Sequence, residues 1–206
     1  FLTPSWLKQV LSGSIQRPLN IPDESLRRAP GREGTPVEAA VLVPIVMRPD
    51  GMTVLLTQRT AHLNDHAGQI SFPGGRCEPD DGGPIETALR ETVEETGLAR
   101  EFIEVLGTMP VYQTATNFMV TPVVALVKPG FTLMPDAFEV EEVFEVPLSF
   151  LMDVENHQQR SLHTPMGERT FYAMPYNSPE NGKNYFIWGA TAAMLRNLYH
   201  FLNAKA

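Results

Sequence analysis

Residues 72–98 constrain this chain more than any others. They read Phe-Pro-Gly-Gly-Arg-Cys-Glu-Pro-Asp-Asp-Gly-Gly-Pro-Ile-Glu-Thr-Ala-Leu-Arg-Glu-Thr-Val-Glu-Glu-Thr-Gly-Leu. A glycine-rich loop leads into a helical pattern over Pro84 to Thr96, and Gly97 follows as a stop signal. At about 100° per residue, Ile85, Leu89, Thr92, Val93 and Thr96 share one face. Glu91, Glu94 and Glu95 gather on the opposite face, at spacings of three and four from Glu91. Like charges so placed repel, each pair costing a helix roughly a few tenths of a kcal/mol. A divalent cation reverses that sign, and hard oxygen donors on one helix face suit Mg²⁺ or Mn²⁺. A solvated acidic face gives the same pattern. Two neighbours favour the cation. Arg90 stands where a guanidinium can orient Glu91, and the Pro73-Gly74-Gly75 turn brings backbone carbonyls towards the helix.

The remaining pattern is mixed. Trp6, Leu7, Val10 and Leu11 have helical spacing, with Ser5 as a candidate cap. Residues 13–36 carry four prolines among Arg, Gly and Ser, which predicts an irregular arm. Val37–Met47 and Thr53–Gln58 are apolar and β-branched on either side of Pro49-Asp50-Gly51, the mark of a hairpin. Gln69–Phe72, Ile103–Val111, Val120–Val127 and Val143–Val146 read as strands. Leu162–Thr164 and Thr170–Met174 flank a second turn, Pro165-Met166-Gly167. Tyr185–Trp188 is strand-like, with Trp188 read as core, and Gly189–Leu202 is a final helix. Two main helices separated by several strands predict an α+β fold, an α-β-α sandwich with a mixed β-sheet. The division is an N-terminal helix and arm over 1–36 and a main domain over 37–206.

The 72–98 stretch resembles the box of the Nudix hydrolase family. Gly75 is followed by five residues and Asp81, and Arg90-Glu91-Thr92-Val93-Glu94-Glu95-Thr96-Gly97-Leu98 supplies the rest. Asp81 stands where Glu is usual, and eight residues rather than seven separate it from Arg90. Upstream, Leu55-Leu56-Thr57-Gln58-Arg59-Thr60 and Gly68-Gln69-Ile70-Ser71-Phe72-Pro73-Gly74-Gly75 resemble the signature of the coenzyme A pyrophosphatase branch. That branch prefers Ser or Ala at Thr60 and Arg at Asn64. Ile187-Trp188-Gly189-Ala190-Thr191-Ala192 is similar to its entry into the last helix.

The resemblance implies a metal-dependent hydrolase that cleaves the pyrophosphate of coenzyme A or its derivatives to 3′,5′-ADP and 4′-phosphopantetheine. ADP-ribose or another nucleoside diphosphate derivative is the alternative substrate, and a non-catalytic nucleotide-binding module the remaining one. The resemblance implies Glu91, Glu94, Glu95 and the Gly75 carbonyl as ligands of Mg²⁺ or Mn²⁺, with Arg90 holding Glu91. The general base is Glu91 itself or an acid of the later run 138–143, where Glu139, Glu141 and Glu142 are candidates. Arg59, His66, Arg76 and Gly74 are expected at the substrate phosphates; Phe118 and Tyr112 are open to two readings, contact with a base or pantetheine arm or, as is commoner for strand-edge aromatics, a place in the core.

Against 16 basic residues the chain sets 24 acids, a net charge of −8, which argues against nucleic acid as a partner. The excess is gathered in residues 78–104 and 136–145, the box and the run holding Glu139 and Glu142. A bound divalent cation masks such charge, so the balance does not argue against a pyrophosphate. The single cysteine, Cys77, forms no intrachain disulfide and fits a cytoplasmic setting. No apolar run suits a membrane span. Homodimerisation is a further expectation drawn from the family.

Overall fold

Runs of β-branched residues without polar interruption form strands that are covered on both faces, and two such runs set the frame here. The computed structural model describes residues 2–14, 21–24, 34–62, 68–164 and 167–203. Along the chain they form α1 (Pro4–Leu11), β1 (Gly13–Ser14), β2 (Val37–Arg48), β3 (Gly51–Arg59), β4 (Ile70–Ser71), β5 (Gly74–Arg76) and α2 (Pro84–Thr96). There follow β6 (Ile103–Thr108), β7 (Tyr112–Gln113), β8 (Phe118–Val127), β9 (Val140–Pro147), α3 (Leu148–Leu151), β10 (Gln158–Thr164), β11 (Gly167–Asn177), β12 (Asn184–Trp188) and α4 (Gly189–Asn203).

Strands β1 to β9 make one mixed sheet, and β10-β11-β12 a second, antiparallel one. The central strand β2 runs parallel to β8, from Val37 opposite Phe118 to Val46 opposite Val127. Its other edge is shared. β3 pairs antiparallel with the C-terminal end, Ile45 to Arg48. β5 pairs with the N-terminal end, Ala40 opposite Gly75 and Val41 opposite Gly74. The expected hairpin of β2 and β3 is therefore present. β5 is a strand that sequence reading missed, because its Gly-Gly-Arg composition has no β propensity.

Side chains alternate across the sheet. Ala39, Val43 and Ile45 of β2, with Val124 and Leu126 of β8, enter the large core, which α1, α3, α4 and the second sheet complete. Ala40 and Leu42, with Val123 and Ala125, face Ala88 of α2 in a smaller cluster. The α-β-α layering follows. Leu7 and Leu11 lie in the large core and β1 pairs with β6, so the described parts of 1–36 pack as part of the same body.

Helix termini are set locally. Thr3, not the expected Ser5, caps α1: its hydroxyl accepts from the Trp6 amide at 3.2 Å, with Pro4 at the first helical position. Gly97 ends α2 in the left-handed conformation, its N–H bonded to the Val93 carbonyl. Among the described residues no helix is long and apolar enough to cross a membrane.

Candidate active site

α2 lies across the N-terminal half of β2 and its partner β5. The buried stripe of the helix differs from expectation. Ala88, Thr92, Glu95 and Thr96 are buried, while Ile85 and Val93 are 38% and 37% exposed. The helix is thus rolled towards its glutamates, because the facing residues of β2 and β8 are small and the Gly74-Gly75 backbone leaves room for carboxylates.

That room is specific. A Cβ on Gly75 would stand 2.5 Å from the Glu91 carboxyl carbon, and one on Gly74 would collide with the Ala40 carbonyl and Val41 backbone. Glycine at 75 makes room for the helix carboxylate, and glycine at 74 lets β5 lie close against β2. Glu95, 4% exposed, accepts the Gly74 amide at 3.1 Å, and Arg59 Nη1 stands 3.5 Å from its other oxygen. Burial pushes its pKa up to about 7 against these two contacts, and the charges of Glu91 and Glu139 add to the rise. Glu91 is raised too, by burial first, with Arg90 opposing and Glu94 and Glu139 reinforcing.

Arg90 ties the acids together. Its Nε and Nη2 each donate to one oxygen of Asp81, both at 2.9 Å. Nη1 donates to Glu91 at 3.0 Å and to the exposed Glu94 at 3.1 Å, and Nη2 reaches the Arg76 carbonyl at 3.1 Å. Asp81 also accepts the Glu78 amide and the Thr87 hydroxyl. The Arg90 guanidinium holds the Asp81 carboxyl well below the usual carboxylate range. Asp81 is therefore the anchor of Arg90, and the extra residue before α2 leaves that bidentate pair intact.

Of the candidate bases outside the helix, Glu139 is the one whose charge reaches both Glu91 and Glu95, raising both. Its carbonyl accepts the Thr60 amide at 3.0 Å, and the Thr60 hydroxyl donates to the Phe138 carbonyl at 2.8 Å, so buried Thr60 fastens this turn. Glu142 is a correction. Its carboxylate accepts from Lys183 Nζ at 2.8 Å and from the Tyr185 hydroxyl at 3.0 Å. The cause is strand parity. Glu142 shares its face of β9 with Phe144 and Val146, which enter the large core away from α2. A bulge between Gln58 and Arg59 then resets the register beyond it.

Beside the carboxylates opens a cavity of about 870 Å³. Arg59, Gly74, Gly75 and Arg76 line one end, so three of the four expected phosphate contacts gather there. The fourth, His66, lies outside the described residues, as does Asn64. Phe118 lines the cavity under the Arg76 guanidinium, 5.4 Å from its ring centroid, whereas Tyr112 is core, 2% exposed. Trp188 overturns its reading as core: it is 39% exposed and lines the far wall with Phe171 and Phe186. The alternation of β12, with Tyr185 and Ile187 buried between exposed Asn184, Phe186 and Trp188, was the available signal. Arg169, also on this wall, is bonded to Glu24 at 2.9 Å, a pair that no local pattern announces.

A family model, the NUDIX domain, matches residues 36–166. The chain belongs to the Nudix hydrolase family. The Nudix hydrolase NudL of Yersinia enterocolitica, described as uncharacterized, is 40% identical over 165 residues, covering 80% of this chain and 81% of its own. The NudL of Yersinia pestis, likewise uncharacterized, is 35% identical over 197 residues, covering 96% and 95%. Among solved structures, the Nudix hydrolase RenU of M. smegmatis aligns with a TM-score of 0.49 at 23% identity, over 57% of this chain and 74% of that one. In Nudix terms, the box is the Gly75-to-Leu98 unit just described. Among the described residues no three acidic, His or Cys side chains already converge as a metal cage. Arg90 engages Glu91 and Glu94, while Gly74 and Arg59 engage Glu95. The donor chemistry nonetheless fits a hard divalent cation: two carboxylates held together in a poorly hydrated notch, each with its pKa raised.

Proposed function

We propose that this Nudix hydrolase cleaves the pyrophosphate of coenzyme A or a closely related derivative, releasing 3′,5′-ADP and 4′-phosphopantetheine. The observation that carries the reading is the joining of two motifs in one place. Residues resembling the coenzyme A branch signature, Arg59, Gln69 to Phe72 and Gly74, line a cavity that reaches the box at Gly75.

Glu91, Glu94 and Glu95, with the Gly75 carbonyl, would hold Mg²⁺ or Mn²⁺. The cation supplies charge neutralisation at the pyrophosphate and a water of lowered pKa. The chain does the rest. Arg90, braced by Asp81, keeps Glu91 and Glu94 directed to one side of the helix. Arg59 and Arg76 present positive charge along the cavity, and the Gly74-Gly75 backbone allows the phosphates to come close. Glu139 is the base that takes the proton of the attacking water, with Thr60 keeping its turn against β3.

The decisive experiment incubates the protein with Mg²⁺ or Mn²⁺ and separately with coenzyme A, ADP-ribose and a dinucleoside polyphosphate, resolving products by chromatography. Coenzyme A is expected to be cleaved with the highest kcat/KM. Faster cleavage of ADP-ribose would replace the substrate assignment while leaving the hydrolase reading in place.

A further inference from the structure

The second sheet offers a wall whose chemistry the box does not use. In β12, Phe186 and Trp188 point the same way and are 41% and 39% exposed. Phe171 of β11 meets the Trp188 ring edge-on, with centroids 5.5 Å apart, and the Phe186 centroid lies 6.5 Å from that of Trp188. Exposed aromatic rings gathered on one sheet face are costly to leave in water unless something covers them. Here the covering partner can be argued, because all three rings line the same cavity as Gly74, Gly75 and Arg76. An alkyl chain would need no cations. The cavity has Arg59 and Arg76 at one end, and Arg169 stands among the aromatics. Rings together with guanidinium groups suit a ligand that is both flat and anionic.

We propose that the β10–β12 sheet is the base-recognition wall, on which the nucleobase stacks against Trp188 while its 5′-phosphate runs towards Arg76 and Gly74. Glu24 completes this wall. One of its oxygens pairs with Arg169, and the other accepts the Ala115 amide at 3.0 Å. The Ile21 amide donates to Asn197 of α4 at 2.8 Å, so residues 21–24 are tied at both ends and hold Arg169 in place. This inference rests on the nucleotide-hydrolase reading above, and it identifies which half of the substrate the second sheet recognises.

The chain has two tryptophans, Trp6 on α1 and Trp188, which gives a direct probe. With metal removed by chelator, AMP is titrated while tryptophan emission is followed. Saturable quenching is expected, and it should persist in Trp6→Phe. By calorimetry, Trp188→Leu should weaken AMP about tenfold or more, the loss of one base-stacking contact, and Trp188→Phe should restore most of the affinity. Unchanged emission on adding AMP, or wild-type affinity in Trp188→Leu, would overturn the proposal. So would quenching by 4′-phosphopantetheine in place of AMP, which would hand this wall to the other half of the molecule. AMP shares its base and 5′-phosphate with both coenzyme A and ADP-ribose, and binding needs no turnover. Failure to cleave coenzyme A would therefore fault the substrate assignment alone.

Discussion

The two faces of the large sheet are packed to different depths. The face towards α4 and the second sheet is filled by long side chains, among them Ile45, Leu126, Phe144, Met174, Ile187 and Leu195. Beneath α2 the opposite face is filled by Ala40, Ala88, Val123 and Ala125 around Leu42, and larger side chains, Val46, Leu55, Leu98 and Val127, gather only beyond the helix. A thin layer brings a helix close to a sheet. On this side closeness lets the Glu91 carboxyl rest against Gly75 and lets Glu95 be buried beneath the helix. The deep face carries most of the apolar burial, hence most of the hydrophobic stabilisation. The shallow face accepts buried carboxylates, a poor choice for stability and a good one for holding a cation.

This division can be broken by experiment. The largest effect should come from Glu95→Gln. Turnover should fall on the order of 10³-fold or more, while the urea midpoint in chelator stays level or rises, since a buried charge has been removed. A loss below tenfold would end the metal role. Next is Leu195→Ala, fully buried on α4. It should cost about 2–5 kcal/mol of stability, with kcat per folded molecule within about twofold of wild type. An equal loss of kcat would mean that the two faces are coupled. Gly75→Ala should sharpen the comparison from the other side. Its Cβ displaces the Glu91 carboxyl, and a shift of about 1 Å in such a group lowers turnover roughly 10²-fold. The matching measurement is kcat beside a melting curve, which should move little.

The smallest effect is a pH dependence on the deep face. His157 Nδ1 stands 3.0 Å from Arg196 Nη1, which can only donate, so Nδ1 accepts and Nε2 carries the proton donated to the Leu151 carbonyl at 2.7 Å. Burial lowers the pKa of this ring, and the Arg196 charge adds to the effect. The neutral form is favoured in the folded protein. Its contribution is therefore complete above the ordinary value of 6.5 and is lost as pH falls below it. The difference in stability between wild type and His157→Gln, measured by denaturation from pH 8 to 5, should shrink as pH falls. A difference independent of pH would remove the titration argument.

Local signals were read well from sequence. The Pro49-Asp50-Gly51 turn, the α2 span and its Gly97 stop, and the last helix, expected over Gly189–Leu202 and found over Gly189–Asn203, depend on residues a few positions apart. The gathering of Glu91, Glu95, Arg90 and Gly75 was legible because helix period and loop length fix it. What failed was a matter of faces and partners. The roll of α2 depends on the size of residues on β2 and β8, far away in sequence. Glu142 and Glu139 differ by three positions, and only the pairing of β9 with β3 and its bulge tell which side each takes. Trp188 looked like core because a large apolar residue usually is, and the cavity beside it is built from seven separate segments. Glu24 and Arg169 meet from 145 positions apart.

The parallel pairing of β2 with β8 has a consequence in time. Val37 meets Phe118 and Val46 meets Val127, so the central pair of the sheet closes a loop of about 80 residues. Closing a loop that long is entropically slow, and contacts of this separation lower folding rates. Both box glycines and all three box glutamates lie inside that loop. α2 gains its floor only when β2 and β8 have come together, and Val43, Ile45, Val124 and Leu126 of the same two strands enter the large core, so the acidic notch and that core form in one event, and stopped-flow refolding should recover core burial and turnover together.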